Sequence, residues 1–194
     1  MATTERPGDR AVTGTAQAVD RRRRARYVVF AMAATFLALA TAFAIGEAST
    51  HPGGTRAVVV TLVWVLPSAA LGVFTVLRPA RSEQVLIVTT TLVAGFVVVQ
   101  ALTHAIPSDD VGPVGTIAAL ATSIPLALLG LHRAGMAGRL LVGLGLVLGV
   151  SGLLGGPAGS ATALALPLLV FGVLFLLVSE PSGGRRRADP PATP

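Results

Sequence analysis

The chain contains no cysteine, which excludes disulfides, thiolate metal ligands and cysteine nucleophiles together. It also contains no lysine, so all 15 basic residues are arginine. Charged residues of both signs make up only 12% of the chain, about half the usual share of a soluble domain. The six long apolar runs described below contain no Asp, Glu, Lys or Arg at all. Ionisable residues inside a membrane usually mark proton relays, ion coupling or voltage sensing, so coupled transport lacks its usual chemical basis here. Enzyme motifs are missing too. There is no HExxH zinc motif and no aspartate pair within the apolar runs. The serine of Gly149-Val150-Ser151-Gly152 has no histidine that can be placed as its partner in a neighbouring run. These absences point to a non-enzymatic protein with no catalytic residues, no cofactor and no metal site. Glu47, His51, His104, Asp109 and Asp110 could in principle meet near one face, but they lack ligand spacing and read as an ordinary solvated surface.

What is present is hydrophobic. Of 194 residues, 53% are hydrophobic, and the mean hydropathy is +0.75. A chain this small cannot hide that much apolar surface in one core, so lipid must be part of its solvent. The net charge of +6 and the pI near 11.6 do not argue for nucleic acid, because the arginines flank apolar runs rather than lining one soluble face. The all-arginine usage, with abundant Ala, Gly and Val, suggests a high-GC bacterial genome and hence a bacterial plasma (inner) membrane.

Six apolar runs cover about 27–46, 57–77, 85–106, 112–131, 140–156 and 161–178. Each falls in the range of about 17–25 residues needed to cross the hydrocarbon, and backbone groups in lipid must bond within their own segment, so each should be a helix. The fold class expected is all-α and polytopic: six transmembrane helices as three consecutive hairpins. A β-barrel would need alternating polar residues, which Val97-Val98-Val99 and Leu140-Leu141-Val142 do not supply. The fifth and sixth runs are the shortest, and a single re-entrant segment is the alternative to two spans there. The polar segments 1–26 and 179–194 read as disordered cytoplasmic tails.

Arginine placement orients the protein. With both termini cytoplasmic, the inside segments hold the seven arginines before the first run, then Arg78 and Arg81, Arg133 and Arg139, and Arg185 to Arg187. Only Arg56 is left outside, so the positive-inside rule favours N-in and C-in. The triplet Ala42-Phe43-Ala44 resembles the end of a signal peptide, whose cleavage would leave five helices. The first run is longer than a usual signal core, which favours its retention.

The even-numbered runs share a phrase. Each is introduced by Pro-x-Gly-(Ser/Thr), at Pro52, Pro113 and Pro157, and each carries an internal Pro-x4-Gly: Pro67 and Gly72, Pro125 and Gly130, Pro167 and Gly172. The internal prolines remove one ladder bond and kink the helix, and the glycines allow close helix approach. Read functionally, three hairpins surround a pseudo-threefold axis with Pro67, Pro125 and Pro167 bordering a shared site. The variable spacing between the two prolines, 15, 12 and 10 residues, argues the other way. Mitochondrial carriers also have three two-helix repeats, but their charged motif after an odd-helix proline is missing.

Two further groups stand out. Thr89, Gln100 and His104 share one broad face of the third run and form a candidate polar cavity; the plainer reading is inter-helix hydrogen bonding. Gly145, Gly149, Gly152 and Gly156, spaced 4, 3 and 4, form a helix-packing stripe on the fifth run. In composition and topology, residues 27–178 resemble the small multi-pass membrane proteins common in high-GC bacteria. With no diagnostic motif, that resemblance implies no activity. The expected partners are the lipid bilayer and a membrane-protein partner or second copy, with no nucleic acid. The expected function is that of a partner subunit or membrane scaffold, with a passive channel or permease for an uncharged or lipophilic solute as the alternative.

Overall fold

The computed structural model describes residues 7–50, 55–103, 114–154 and 159–179. Among these residues the secondary structure is all helical. The six helices are α1 (Pro7–Thr50), α2 (Thr55–Leu77), α3 (Pro79–Thr103), α4 (Val114–His132), α5 (Ala134–Leu154) and α6 (Gly159–Val178). Each apolar run of the sequence coincides with one of them. Four are long and apolar enough to cross a membrane, within Asp20–Phe43, Arg81–Thr103, Gly115–His132 and Ala134–Leu154. The described apolar stretches of α2 and α6, Leu62–Leu77 and Ala163–Val178, are shorter.

Pair contacts fix the helix directions. Gly115 of α4 lies beside Val97 of α3, and Arg133 beyond the far end of α4 pairs with Glu83 at the start of α3, so these two are antiparallel. Gly138 of α5 meets Gly172 and Leu176 of α6, while Gly145 meets Ala165 and Leu169, so α5 and α6 are antiparallel as well. The late halves of α3 and α5 line one groove, and those of α2 and α4 line another, so these pairs run parallel. Direction therefore alternates from α2 to α6. Two of the reversals are one residue long and share one pattern. Arg78 N–H donates to Phe74 O, and Arg78 O accepts from Arg81 and Ser82; Arg133 N–H donates to Leu129 O, and Arg133 O accepts from Met136 and Ala137. Each arginine ends one helix and starts the next. Pro79 suits the first position of α3, where no donor is needed.

Helix α4 is the centre. It touches all five other helices, and 72% of its apolar window is buried, against 17% for α1 and 22% for α3. Its small side chains make this possible: Thr116, Ala118, Ala119, Ala121, Thr122, Ser123 and Ala127 are all buried. Stripes at helical spacing close on it, including Val29, Ala33 and Leu37 from α1 and Leu86, Val93 and Val97 from α3. Aromatic pairs join the periphery, Phe36 to Phe171 between α1 and α6 and Trp64 to Phe96 between α2 and α3. The outward faces are apolar, with Leu39, Phe43, Leu92, Leu153 and Leu177 exposed. A surface this apolar on a small bundle is one made for lipid rather than water.

Two expectations change. Residues 7–26 do not stand apart as an irregular tail: α1 begins at Pro7 and runs on through the arginine cluster. Proline suits a first helical position, Asp20 and Arg24 pair at 2.9 Å across one turn, and the arginines themselves favour helix. Residues 1–6 and 180–194 lie outside the described residues. The three even helices, moreover, are not equivalent. Pro67 is exposed, Pro125 buried and Pro167 half-buried, and α4 occupies a central position that α2 and α6 do not share.

The glycines of the Pro-x4-Gly phrase are nevertheless used alike. A methyl on Gly72 would come 3.1 Å from Leu128 of α4, one on Gly130 would run into the Phe175 ring of α6, and one on Gly172 would come 2.9 Å from Val142 N and 3.0 Å from Gly138 O of α5. The α5–α6 seam is backbone against backbone, since a methyl on Gly138 would lie 2.7 Å from Gly172 O. Gly143, with nothing within 4 Å, faces outward. Gly138→Ala should therefore lower the thermal unfolding midpoint in detergent, by an overpacking cost of about 1–3 kcal/mol, while Gly143→Ala should leave it unchanged or raise it slightly. Equal midpoints for the two variants would contradict the seam.

Candidate functional site: a cationic cleft at one end of the bundle

The face of α3 that carries Thr89 and Gln100 turns partly inward. Both residues are half-buried beside the stripe of Leu86, Thr90, Val93 and Val97, and Gln100 has an interaction partner. His104 lies outside the described residues, as do His51, Asp109 and Asp110. Thr90 Oγ1 is buried with no hydrogen-bond partner. The two grooves that flank the apolar belt, one between α2 and α4 and one between α3 and α5, are lined almost wholly by aliphatic side chains. Of the glycine stripe, Gly145 and Gly149 face α6, with Ala165 nearest in both cases or nearly so. Gly152 is buried, and Gly156 lies outside the described residues. Gly138, which the stripe did not include, makes the tightest approach of the α5 glycines.

The polar site is elsewhere. At one end of the bundle, α1, the start of α3, the α4–α5 reversal and the end of α6 converge on a cleft of about 390 Å³. Its charged and titratable lining is Arg26, His132, Arg133, Arg139 and Glu83. The single carboxylate among these, Glu83, pairs with Arg133. Among the described residues, that leaves Arg26 and Arg139 without an anionic counterpart in the cleft. Arg26 Nε is buried and has no hydrogen-bond acceptor, whereas Arg21 to Arg24 on the same helix are exposed. Ala134 and Gly135, the first residues of α5, also line the cleft. The first helical hydrogen bonds of α5 are donated from Met136 and Ala137, so the two amides before them are the free donors of a helix start. Ser179 closes the other side, its hydroxyl donating to Leu176 O.

This convergence was not legible in the sequence. The four basic side chains are spread over more than a hundred positions, and only the reversals at Arg78 and Arg133 bring them to one end. The available signal was the arginine count, which sorts residues by side of the membrane without saying which of them meet.

Comparison with protein-family models, with curated proteins and with solved structures finds no match to this chain. The fold itself defines the class: a bundle of apolar helices, several long enough to cross a bilayer, as in a helical membrane protein.

The Arg133–Glu83 pair ties α3 to the α4–α5 reversal, but the arginine side chain is 52% exposed. Arg133→Gln should accordingly cost less than about 1 kcal/mol of stability, read as a small drop in the unfolding midpoint. A collapse of the fold would show that the pair, rather than apolar packing, closes this end.

Proposed function

We propose that this protein is a non-enzymatic integral membrane protein of the bacterial plasma membrane that acts through its surfaces, as a partner subunit or membrane scaffold. One observation carries the reading: among the described residues, the centre of the bundle is closely packed. The centre of the bundle is a helix of small residues packed against five neighbours, and its hydroxyls are turned onto its own backbone, Thr122 Oγ1 to Ala118 O at 2.8 Å and Ser123 Oγ to Leu120 O at 2.5 Å. Close packing around α4 supports action through lateral contact rather than through passage of a solute.

The proposal includes six spans with both termini cytoplasmic. Support comes from the cleft, where the basic end of α1, the α2–α3 and α4–α5 reversals and the end of α6 share one end of the bundle. The positive-inside rule puts that end in the cytoplasm. The cysteine-free sequence makes the test clean. A single cysteine at exposed Thr103 should react with a membrane-impermeant maleimide on intact cells, and one at exposed Arg81 should react only after permeabilisation. The reverse pattern would invert the topology, and labelling of both positions from one side would remove a span.

The alternative, a passive channel or permease for an uncharged or lipophilic solute, draws on one observation. The unpartnered hydroxyl of Thr90 sits on the inward face of α3 between Thr89 and Gln100, where a passing solute could bond to it. Purification from the native membrane in mild detergent, with particle mass and identification of co-purifying proteins, separates the two readings. A stoichiometric partner is the expected result. A lone species whose liposomes pass a small neutral solute, with flux lost in Thr90→Val, would replace the scaffold reading by the permease.

A further inference from the structure

We propose that the cleft formed by Arg26, His132, Arg133 and Arg139 is a binding site for a phosphate group. The inference goes beyond the partner or scaffold reading and does not depend on it.

Arg26 of α1, with His132, Arg133 and Arg139 around the α4–α5 reversal, lines one cleft, and the one carboxylate among its described lining residues, Glu83, is already paired with Arg133. A bound anion would find the guanidinium groups of Arg26 and Arg139 there together. Arg26 adds a second and independent observation. Its Nε is buried and donates to nothing. A buried donor left without an acceptor costs the desolvation of that group, more so when it belongs to a charged side chain. Arg21, Arg22, Arg23 and Arg24 carry no such cost, because they remain exposed on the same helix. The site also contains the start of α5, whose free first-turn amides at Ala134 and Gly135 and whose positive dipole end both favour an anion.

The number of donors favours phosphate over a carboxylate. Donors line the cleft from α1, from the α4–α5 reversal and from the first turns of α5. A tetrahedral group with three or four acceptor oxygens can serve them all, whereas a planar carboxylate offers two. Guanidinium groups bind phosphate as bidentate forks. The cleft is large enough for a phosphate with a small ester group attached, and Met136 and Leu176 give it an apolar edge. Two sources share this chemistry: the headgroup of an anionic phospholipid, and a free phosphate or phosphate ester from solution.

The experiment uses the full chain purified in an uncharged detergent. Thermal unfolding is followed with millimolar inorganic phosphate at constant ionic strength, and separately in mixed micelles containing phosphatidylglycerol or, as control, phosphatidylcholine. Wild-type protein should be stabilised by at least one of the two anionic probes. A shift with inorganic phosphate assigns a soluble ligand; a shift with phosphatidylglycerol alone, and not with phosphatidylcholine, assigns a lipid headgroup. The apparent affinity should fall by about tenfold or more in the Arg26→Gln, Arg139→Gln double variant, the loss expected for removing charged donors. It should persist in Arg21→Gln, Arg22→Gln, which removes the same charge from the same end of the protein but not from the cleft. Arg139 is exposed, so Arg139→Gln alone gives the same reading if the double variant does not fold. Absence of any shift with either anionic probe, or a shift that survives the cleft variants, overturns the proposal.

Discussion

Helices already dissolved in lipid gain nothing by exchanging lipid contacts for one another's apolar side chains, so they associate only where they can approach more closely than lipid chains can. That constraint explains the placement of small residues throughout this molecule. Gly138 and Gly172 bring the backbones of α5 and α6 into direct contact, and at that range dispersion and Cα–H···O contacts become available that no Leu–Leu contact gives. The same constraint shapes α4. A helix surrounded by five others gains from small side chains, and Thr116, Ala118, Ala119, Ala121, Thr122, Ser123 and Ala127 supply them, with Leu120, Leu126 and Leu129 buried among them. Leu141, Leu144 and Leu148 of α5 and Phe175 of α6 belong to the same core. Gly130 beneath the Phe175 ring is the point where the two patterns interlock.

Polar atoms in such an interior do not by themselves define a conduit. Threonine hydroxyls recur along the apolar helices, and in Thr41, Thr75, Thr91, Thr103 and Thr122 each donates to the carbonyl four residues back. These bonds are local, and they would exist in an isolated helix. In α4 the hydroxyls of Thr122 and Ser123 lie just before Pro125 and bond to Ala118 O and Leu120 O, not to Ala121 O, the carbonyl whose ladder donor Pro125 removes. Thr90 departs from this rule by making no such bond. That departure gives α3, rather than the proline-bearing helices, the stronger claim to any polar function within the membrane.

The sequence revealed most of the fold, because the length of hydrocarbon to be crossed is written directly into the length of an apolar run. All six runs correspond to helices within a few residues at the ends the structure describes. The extension of α1 back to Pro7 was not legible by the same route: hydropathy ends where the arginines begin, although arginine and alanine are good helix formers. Gly138 was missed for a related reason. It lies beside Arg139, outside the apolar run, while the stripe from Gly145 onward stood inside it. A shared helix face such as that of Thr89 and Gln100 does not by itself tell a cavity wall from a packed flank. The cleft at the end of the bundle depends on which arginines the one-residue reversals bring together, and that is a tertiary fact.

The positive-inside rule offers a reason for arginines to gather at one end of the bundle, but it does not account for their solvation. A charge that only orients a helix works from the surface, where water carries its hydration at no cost to the fold. Arg21 to Arg24 meet that description, and Arg23 even lies over the ring of Tyr27, with 6.0 Å from its guanidinium carbon to the ring centroid, while staying exposed. Arg26 is one turn further into the bundle and half-buried, with its Nε withdrawn from water and no acceptor for it among the described residues. Glu83 lines the same cleft, yet it is directed to Arg133. Orientation alone would be served as well by an arginine left in water, as Arg21 to Arg24 are. A half-buried guanidinium with one donor unanswered is an arrangement that a ligand carrying its own negative charge would complete.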